Sequence, residues 1–156
     1  MKSNLVLKLK VPPSVWALLA AICIWITAKY WPVFRFEFAN QWVIAVFVFL
    51  AGSIIDMIAI IQFRRSRTTV NPLSPEKSTQ LVTSGIFSIS RNPMYLGMAL
   101  NLVGITIWFG DVSGLVFVAL FVVVINQLQI KPEEEILTGL YGDKYTDWMQ
   151  RVRRWI

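Results

Sequence analysis

At 156 residues, with a net charge of +6 and no histidine, the chain is tightly bounded before any motif is read. One domain is expected at this length. The missing histidine removes the commonest general base and metal ligand, so no metal or haem site is expected. The single cysteine, Cys23, excludes a disulfide framework. A hydrophobic fraction of 56% and a mean hydropathy of +0.58 exceed the about 45–50% apolar content of soluble domains. The basic charge flanks apolar runs, so anionic lipid is the expected partner rather than nucleic acid.

Lys2, Lys8 and Lys10 precede the first apolar run, "VWALLAAICIWITAKYW" at 15–31. No A-x-A-like site closes it and Lys29-Tyr30-Trp31 follow, so a cleaved signal peptide is not expected. The second run, "WVIAVFVFLAGSIIDMIAIIQF", covers 42–63. The third, "PMYLGMALNLVGITIWF", covers 93–109, and the fourth, "GLVFVALFVVVINQLQI", covers 114–130. A membrane-crossing helix needs roughly 20 apolar residues, with about 17 as the short limit. Trp16, Trp31, Trp42 and Trp108 fall near segment ends, as interfacial aromatics do.

The connections differ in charge. Arg64, Arg65, Arg67, Lys77 and Arg91 follow the second run, and Lys131, Lys144, Arg151, Arg153 and Arg154 follow the fourth. The other two connections carry only Arg35 with Glu37, and Asp111. The positive-inside rule then predicts four transmembrane helices with both termini cytoplasmic. The cytoplasmic side would hold the loop 64–92 and the tail 131–156, and "GDVS" at 110–113 would join an antiparallel hairpin. The fold class expected is all-α and integral to a membrane, one domain over 1–156.

The tail carries its own punctuation. Pro132 suits a first helical position, and Glu133, Glu134 and Glu135 would then complement the positive end of a helix dipole. Gly142 reads as a stop and Asp143 as the N-cap of a second helix. Leu137 with Tyr141, and Tyr145 with Trp148, share helix faces and are expected to dock the tail onto the membrane hairpin.

Two stretches can carry chemistry. In "SISRNPMYLG", Arg91 precedes Pro93 at the mouth of the third helix, a ready site for a carboxylate or phosphate. Gly97 leaves room for a ligand or another helix. From the residues alone, the plainer assignment leads: Arg91 an interfacial anchor, Tyr95 a belt aromatic, Gly97 a packing residue. The triple glutamate is likewise either a dipole-matched helix start or a set of carboxylates for a cation, a ribose diol or an amino group. Asp56 lies midway along the second run, where a charge costs about 2.5–3.5 kcal/mol. It is expected inside the bundle, paired with Asn101 or Asn126 or touching a substrate headgroup. Arg151, Arg153 and Arg154 suit either a substrate carboxylate or anionic lipid. Gly52 and Gly104 are candidates for helix packing within or between chains.

Taken together, "RNPMYLG" and "EEEILTGLYGDKYTDW" resemble the isoprenylcysteine carboxyl methyltransferase and phospholipid methyltransferase superfamily. The family pattern R-H-P-x-Y-x-G maps to Arg91, Pro93, Tyr95 and Gly97, and E-E-x-x-L to Glu133, Glu134 and Leu137. The aromatic-Gly-x-x-Tyr-x-x-aromatic run maps to Tyr141, Gly142, Tyr145 and Trp148. The preceding "TTVNP" and "LVTSGIF" look like its bacterial branch, so a bacterial inner membrane is implied. The resemblance implies S-adenosylmethionine as methyl donor, S-adenosylhomocysteine as product, and a small or lipid-like acceptor from the bilayer. It implies a cofactor pocket of Gly85, Ile86, Arg91, Asn92, Pro93, Tyr95, Leu96, Gly97, Glu133, Glu134, Leu137, Tyr141 and Tyr145. Arg91, Asn92 and Tyr95 would act at the reacting centre, with Asp56 and Arg154 as weaker candidates for substrate contact. Asn92 stands where the family usually has histidine; it can donate and accept hydrogen bonds but not titrate near neutral pH.

A chain without histidine suits this chemistry. A sulfonium methyl is already activated, and a carboxylate or thiolate acceptor is already ionised, so alignment supplies most of the catalysis, roughly 7–11 kcal/mol. An amine acceptor, which must lose a proton, is less favoured. The alternatives are a membrane reductase like the sterol reductases, for which the chain is short, and a non-enzymatic four-helix transporter or assembly protein.

Overall fold

The computed structural model describes residues 11–66, 75 and 78–156. Lys2, Lys8, Lys10, Arg67, Lys77 and the "TTVNP" stretch lie outside the described residues. Helix α1 is Pro13–Tyr30, α2 is Gln41–Arg65 and α3 is Pro93–Phe109. Then come α4 (Gly114–Ile125), a π-helical turn (Asn126–Ile130), α5 (Lys131–Tyr141) and α6 (Asp143–Arg151). Among the described residues there is no strand, only an isolated bridge between Arg35 and Asp111.

Among the described residues, three helical stretches are long and apolar enough to cross a membrane: Pro13–Tyr30, Gln41–Arg65 and Gly114–Tyr141. Helix α3 is shorter at 17 residues, about 26 Å of rise. Many large apolar side chains of α1, α2 and α4 face outward, among them Leu18, Trp25, Phe47, Ile54, Val116 and Leu120. A greasy outer surface of this extent suits lipid as its solvent.

Helix α3 is the hub, packed on α2, α1 and α4. Its seam with α2 is built from small residues. Ala45, Gly52 and Ala59 on α2 recur every seven positions and are buried; Gly97 and Gly104 on α3 do the same. A Cβ on Gly97 would run into the Asp56 carboxylate and the Gly52 carbonyl, and one on Gly104 would lie 2.9 Å from the Ala45 carbonyl. The two backbones therefore approach as only small residues allow. Gly52 and Gly104 thus serve packing within the chain. Asp56 sits on this seam, with Asn101 Nδ2 3.5 Å from its Oδ2. Asn126 turns instead to Trp155, whose Nε1 donates to its Oδ1 at 3.3 Å.

At the end of the bundle away from the tail, Asp111 ties the two connections together. It is 2% exposed; its Oδ2 accepts from Val33 N–H at 3.0 Å and its Oδ1 from Ser113 N–H at 2.9 Å. Burial opposes its charge, but hydrogen bonds from Ser113, Phe34 and Val33 outweigh that and hold the carboxyl below its ordinary range. Gly110, at φ 64°, ends α3 in the left-handed conformation that brings Asp111 inward.

The fourth apolar run does not end at residue 130. It continues through the π turn into α5 as one 28-residue helix. In that turn Lys131 N–H donates to the Asn126 carbonyl, five residues back. The widened turn lies just before Pro132, whose ring would otherwise press on the preceding turn. Glu133, Glu134 and Glu135 therefore do not stand at a free helix start, and the dipole explanation for them falls. Gly142 stops α5 at φ 54° and is itself the residue before α6, so Asp143 is the first helical residue and not the cap.

The tail docks mainly on the central loop and the end of α2. Val82, Phe87, Ala59, Tyr145, Trp148 and Val152 form a second buried cluster, separate from the core around Ile24, Tyr95, Leu102, Phe121, Ile125 and Ile130. Trp148 packs edge-on against Tyr145 and donates from Nε1 to the Phe87 carbonyl at 3.2 Å.

Candidate functional site

Between the two clusters lies a partly open cavity. The mouth of α3 supplies Arg91, Asn92, Pro93, Met94 and Tyr95. The helix beyond the π turn supplies Glu133, Glu134 and Leu137, α6 supplies Tyr145 and Trp148, and the end of α2 supplies Phe63. The central loop adds Leu81, Val82 and Phe87 as an apolar wall, with Ser78 and Gln80 beside it. The cavity is thus charged on one side and apolar on the other, a shape for an amphipathic molecule.

Each element is placed by local chemistry. Pro93, with its fixed φ and no N–H, opens α3, which leaves Arg91 and Asn92 in the preceding turn. Asn92 N–H donates to Ser90 Oγ at 3.1 Å. Gln62, on α2, pins the loop: its amide donates to the Ser84 carbonyl and accepts from Ile86 N–H at 3.2 Å. Tyr141 reaches the same loop, with its hydroxyl 2.9 Å from Ser78 Oγ.

The two glutamates facing the cavity have different partners. Glu134 lies between two guanidinium groups: Arg91 Nη2 is 3.1 Å from its Oε1, and Arg154 binds it through Nε at 3.1 Å and Nη2 at 2.6 Å. That forked bond raises the Arg154 pKa above its ordinary value. Glu133 instead accepts from the Tyr95 hydroxyl at 3.0 Å, and the Gln129 side chain bonds to both. Burial, then the charges of Glu134 and Glu133, push the Tyr145 phenol up, against smaller opposing effects of Arg91 and Arg154.

Arg91 is the unfinished part of this network. Its side chain is 10% exposed, yet Nε and Nη1 are buried without a hydrogen-bond partner among the described residues. Buried donors in a folded protein are nearly always paired. Two unpaired guanidinium donors on a residue of the cavity wall are therefore suited to an anionic ligand group, and an organic carboxylate fits well.

Of the residues implied by sequence, Arg91, Asn92, Pro93, Tyr95, Glu133, Glu134, Leu137 and Tyr145 line the cavity. Gly97 faces α2, Gly85 packs on the Gln62 amide at φ 57°, and Tyr141 braces the loop; Ile86 and Leu96 are not in the lining either. Arg154 reaches the site through Glu134, while Asp56 stays on the α2–α3 seam. Phe63, Met94, Phe87 and Trp148 line the cavity without having been singled out as ligand contacts. Of these, Phe87 and Trp148 carried a signal, as the last residue of "LVTSGIF" and the last aromatic of the tail motif.

A stretch of 63 residues is 43% identical to an uncharacterized protein of Haemophilus influenzae, covering 40% of this chain and all of that protein. Another of 103 residues is 30% identical to Protein-S-isoprenylcysteine O-methyltransferase B of Arabidopsis thaliana, covering 66% of this chain and 52% of that protein. The chain thus matches only about half the length of the plant relative. No solved structure matches. The pattern of the phospholipid methyltransferase family matches residues 40–144, from the start of α2 past both cavity glutamates, and on this match the chain belongs to that family.

Proposed function

We propose that this chain transfers a methyl group from S-adenosylmethionine to a small or lipid-like acceptor at the cytoplasmic face of a membrane. The observation that carries the reading is Arg91, buried at the cavity wall with two guanidinium nitrogens unpaired among the described residues. When bound, S-adenosylmethionine supplies a methyl group on a positively charged sulfonium. Arg91 would hold its carboxylate, and Glu133 and Tyr95 would face its polar groups. Phe63, Leu81, Val82 and Phe87 line the apolar side and would shield a bound ligand there from water, which strengthens charged contacts inside.

The basic ends support the orientation. Arg64 and Arg65 close α2, and Lys131, Arg151, Arg153 and Arg154 belong to the helix and tail that build the cavity. These support a cytoplasmic cavity end, with α3 as a fourth, short span and both termini on that side in this proposal. The apolar wall, the name of the plant relative and the family description all favour a lipid-like acceptor. A carboxylate or thiolate fits best, since it reaches the site already ionised.

Isothermal titration of the detergent-purified protein with S-adenosylhomocysteine tests the reading. Wild type should bind, and Arg91→Met should lose most of that binding. A folded wild type with no measurable binding sinks the proposal.

A further inference from the structure

The last residues of the chain form a strap across the cavity wall. Val152 leaves α6 in extended conformation, at φ −119° and ψ 128°, and packs in the cluster of Phe87 and Trp148. Trp155 packs against the other core, around Tyr95 and Ile125. Four residues therefore bridge the two clusters. Between these anchor points, the mouth of α3 grips the strap twice: Arg91 N–H donates to the Arg153 carbonyl at 3.1 Å, and Asn92 Nδ2 donates to the Arg154 carbonyl at 3.0 Å. The Arg154 side chain then forks onto Glu134.

The arrangement bears directly on Arg91. Glu134 has two oxygens and two guanidinium neighbours. With Arg154 occupying both, Arg91 reaches Glu134 through Nη2 alone. Without Arg154, the carboxylate is free to fork onto Arg91 and use the donors now left open, since a bidentate pair is the preferred geometry.

Resting on the reading of the cavity as the methyl-donor site, we propose that Asn92 and Arg154 are positioning residues. Asn92 fixes the strap, the strap presents Arg154, and Arg154 holds Glu134 off the ligand-binding donors of Arg91. The Asn92 amide acts as a hydrogen-bond donor to the strap and has no part in proton transfer.

The test uses the full chain in detergent with two readouts: S-adenosylhomocysteine titration, and carboxypeptidase digestion followed by intact-mass measurement. Asn92→Ala should weaken binding about ten-fold and allow trimming past Trp155, which wild type resists. Asn92→His keeps an N–H and should restore both. If Asn92→Ala does not fold, Arg154→Gln is read by titration instead, with the same loss of affinity expected. A folded wild type that does not bind overturns the donor-site reading itself. A wild type that binds, with folded Asn92→Ala or Arg154→Gln binding equally well, overturns the positioning role. So does weaker binding by Asn92→Ala with the strap still protected, or a His variant as weak as Ala.

Discussion

Arg154 and Glu134 meet through two contacts, Nε to Oε1 at 3.1 Å and Nη2 to Oε2 at 2.6 Å, with Arg91 on the same carboxylate. One anion thus serves as counter-charge to two cations, which leaves the triad net positive. Glu134→Gln leaves both guanidinium groups without their counter-charge. It is expected to lower stability by about 1–3 kcal/mol, the cost of stranding buried polar partners. Thermal unfolding in detergent measures it, and an unchanged midpoint would show the triad to be idle.

Tyr95→Phe removes a single hydroxyl. Glu133 then keeps Gln129 but loses the donor 3.0 Å away. Stability should fall by about 1–3 kcal/mol, and S-adenosylhomocysteine affinity should fall with it. If affinity holds while stability drops, Tyr95 only supports the helix contact.

Two glycines should respond to alanine in opposite directions. Gly97→Ala pushes a methyl into Asp56 and the Gly52 backbone, an overpacking expected to cost about 1–3 kcal/mol. Gly139 lies within α5 with nothing within 4 Å of its Cβ position among the described residues. There alanine should stabilise by about 0.5–1 kcal/mol through helix propensity. Unfolding midpoints of the two variants compare them directly.

Asp111 makes an acid-side prediction. Its folded pKa lies below the ordinary value, so the charged carboxylate favours the fold. That contribution is fully present above the unfolded pKa of about 4. It is lost as pH falls through the depressed folded value. Asp111→Ala should be less stable than wild type at neutral pH by about 1–3 kcal/mol, with Val33 and Ser113 N–H left unpaired. The gap should narrow below about pH 4. A gap independent of pH would assign the effect to shape and not charge.

Much of this was legible from residue types. Pro93 and the aromatic-Gly pair Phe109-Gly110 bound α3, and its observed limits are those of the apolar run. The starts and ends of α1 and α2 differ from the apolar runs by two residues at most. The run through 130 is different. Pro132 reads as a helix start in any local window, and only the π turn before it lets the helix pass through. The site shows the same division. Charged and aromatic residues such as Arg91, Glu134 and Tyr145 can be placed by motif order. A glycine cannot, since close approach by a ligand and by a helix demand the same missing Cβ, and at Gly97 the neighbour is α2. The strap is held largely by backbone carbonyls, which every residue carries, so its grip on Asn92 leaves no mark in composition or spacing.

The unbroken helix Gly114–Tyr141 links bilayer and cavity mechanically. Its 28 residues amount to about 42 Å, against a hydrocarbon core of about 30 Å. Helices longer than the bilayer adjust by tilting. The cavity glutamates ride on the same rod, some twenty residues from its far end, so a tilt of about 10° pivoting there displaces them by about 5 Å. Arg91 belongs to a different segment, the turn that precedes α3. A change of membrane thickness is therefore expected to alter the spacing between Arg91 and Glu134, against the forked Arg154 bond.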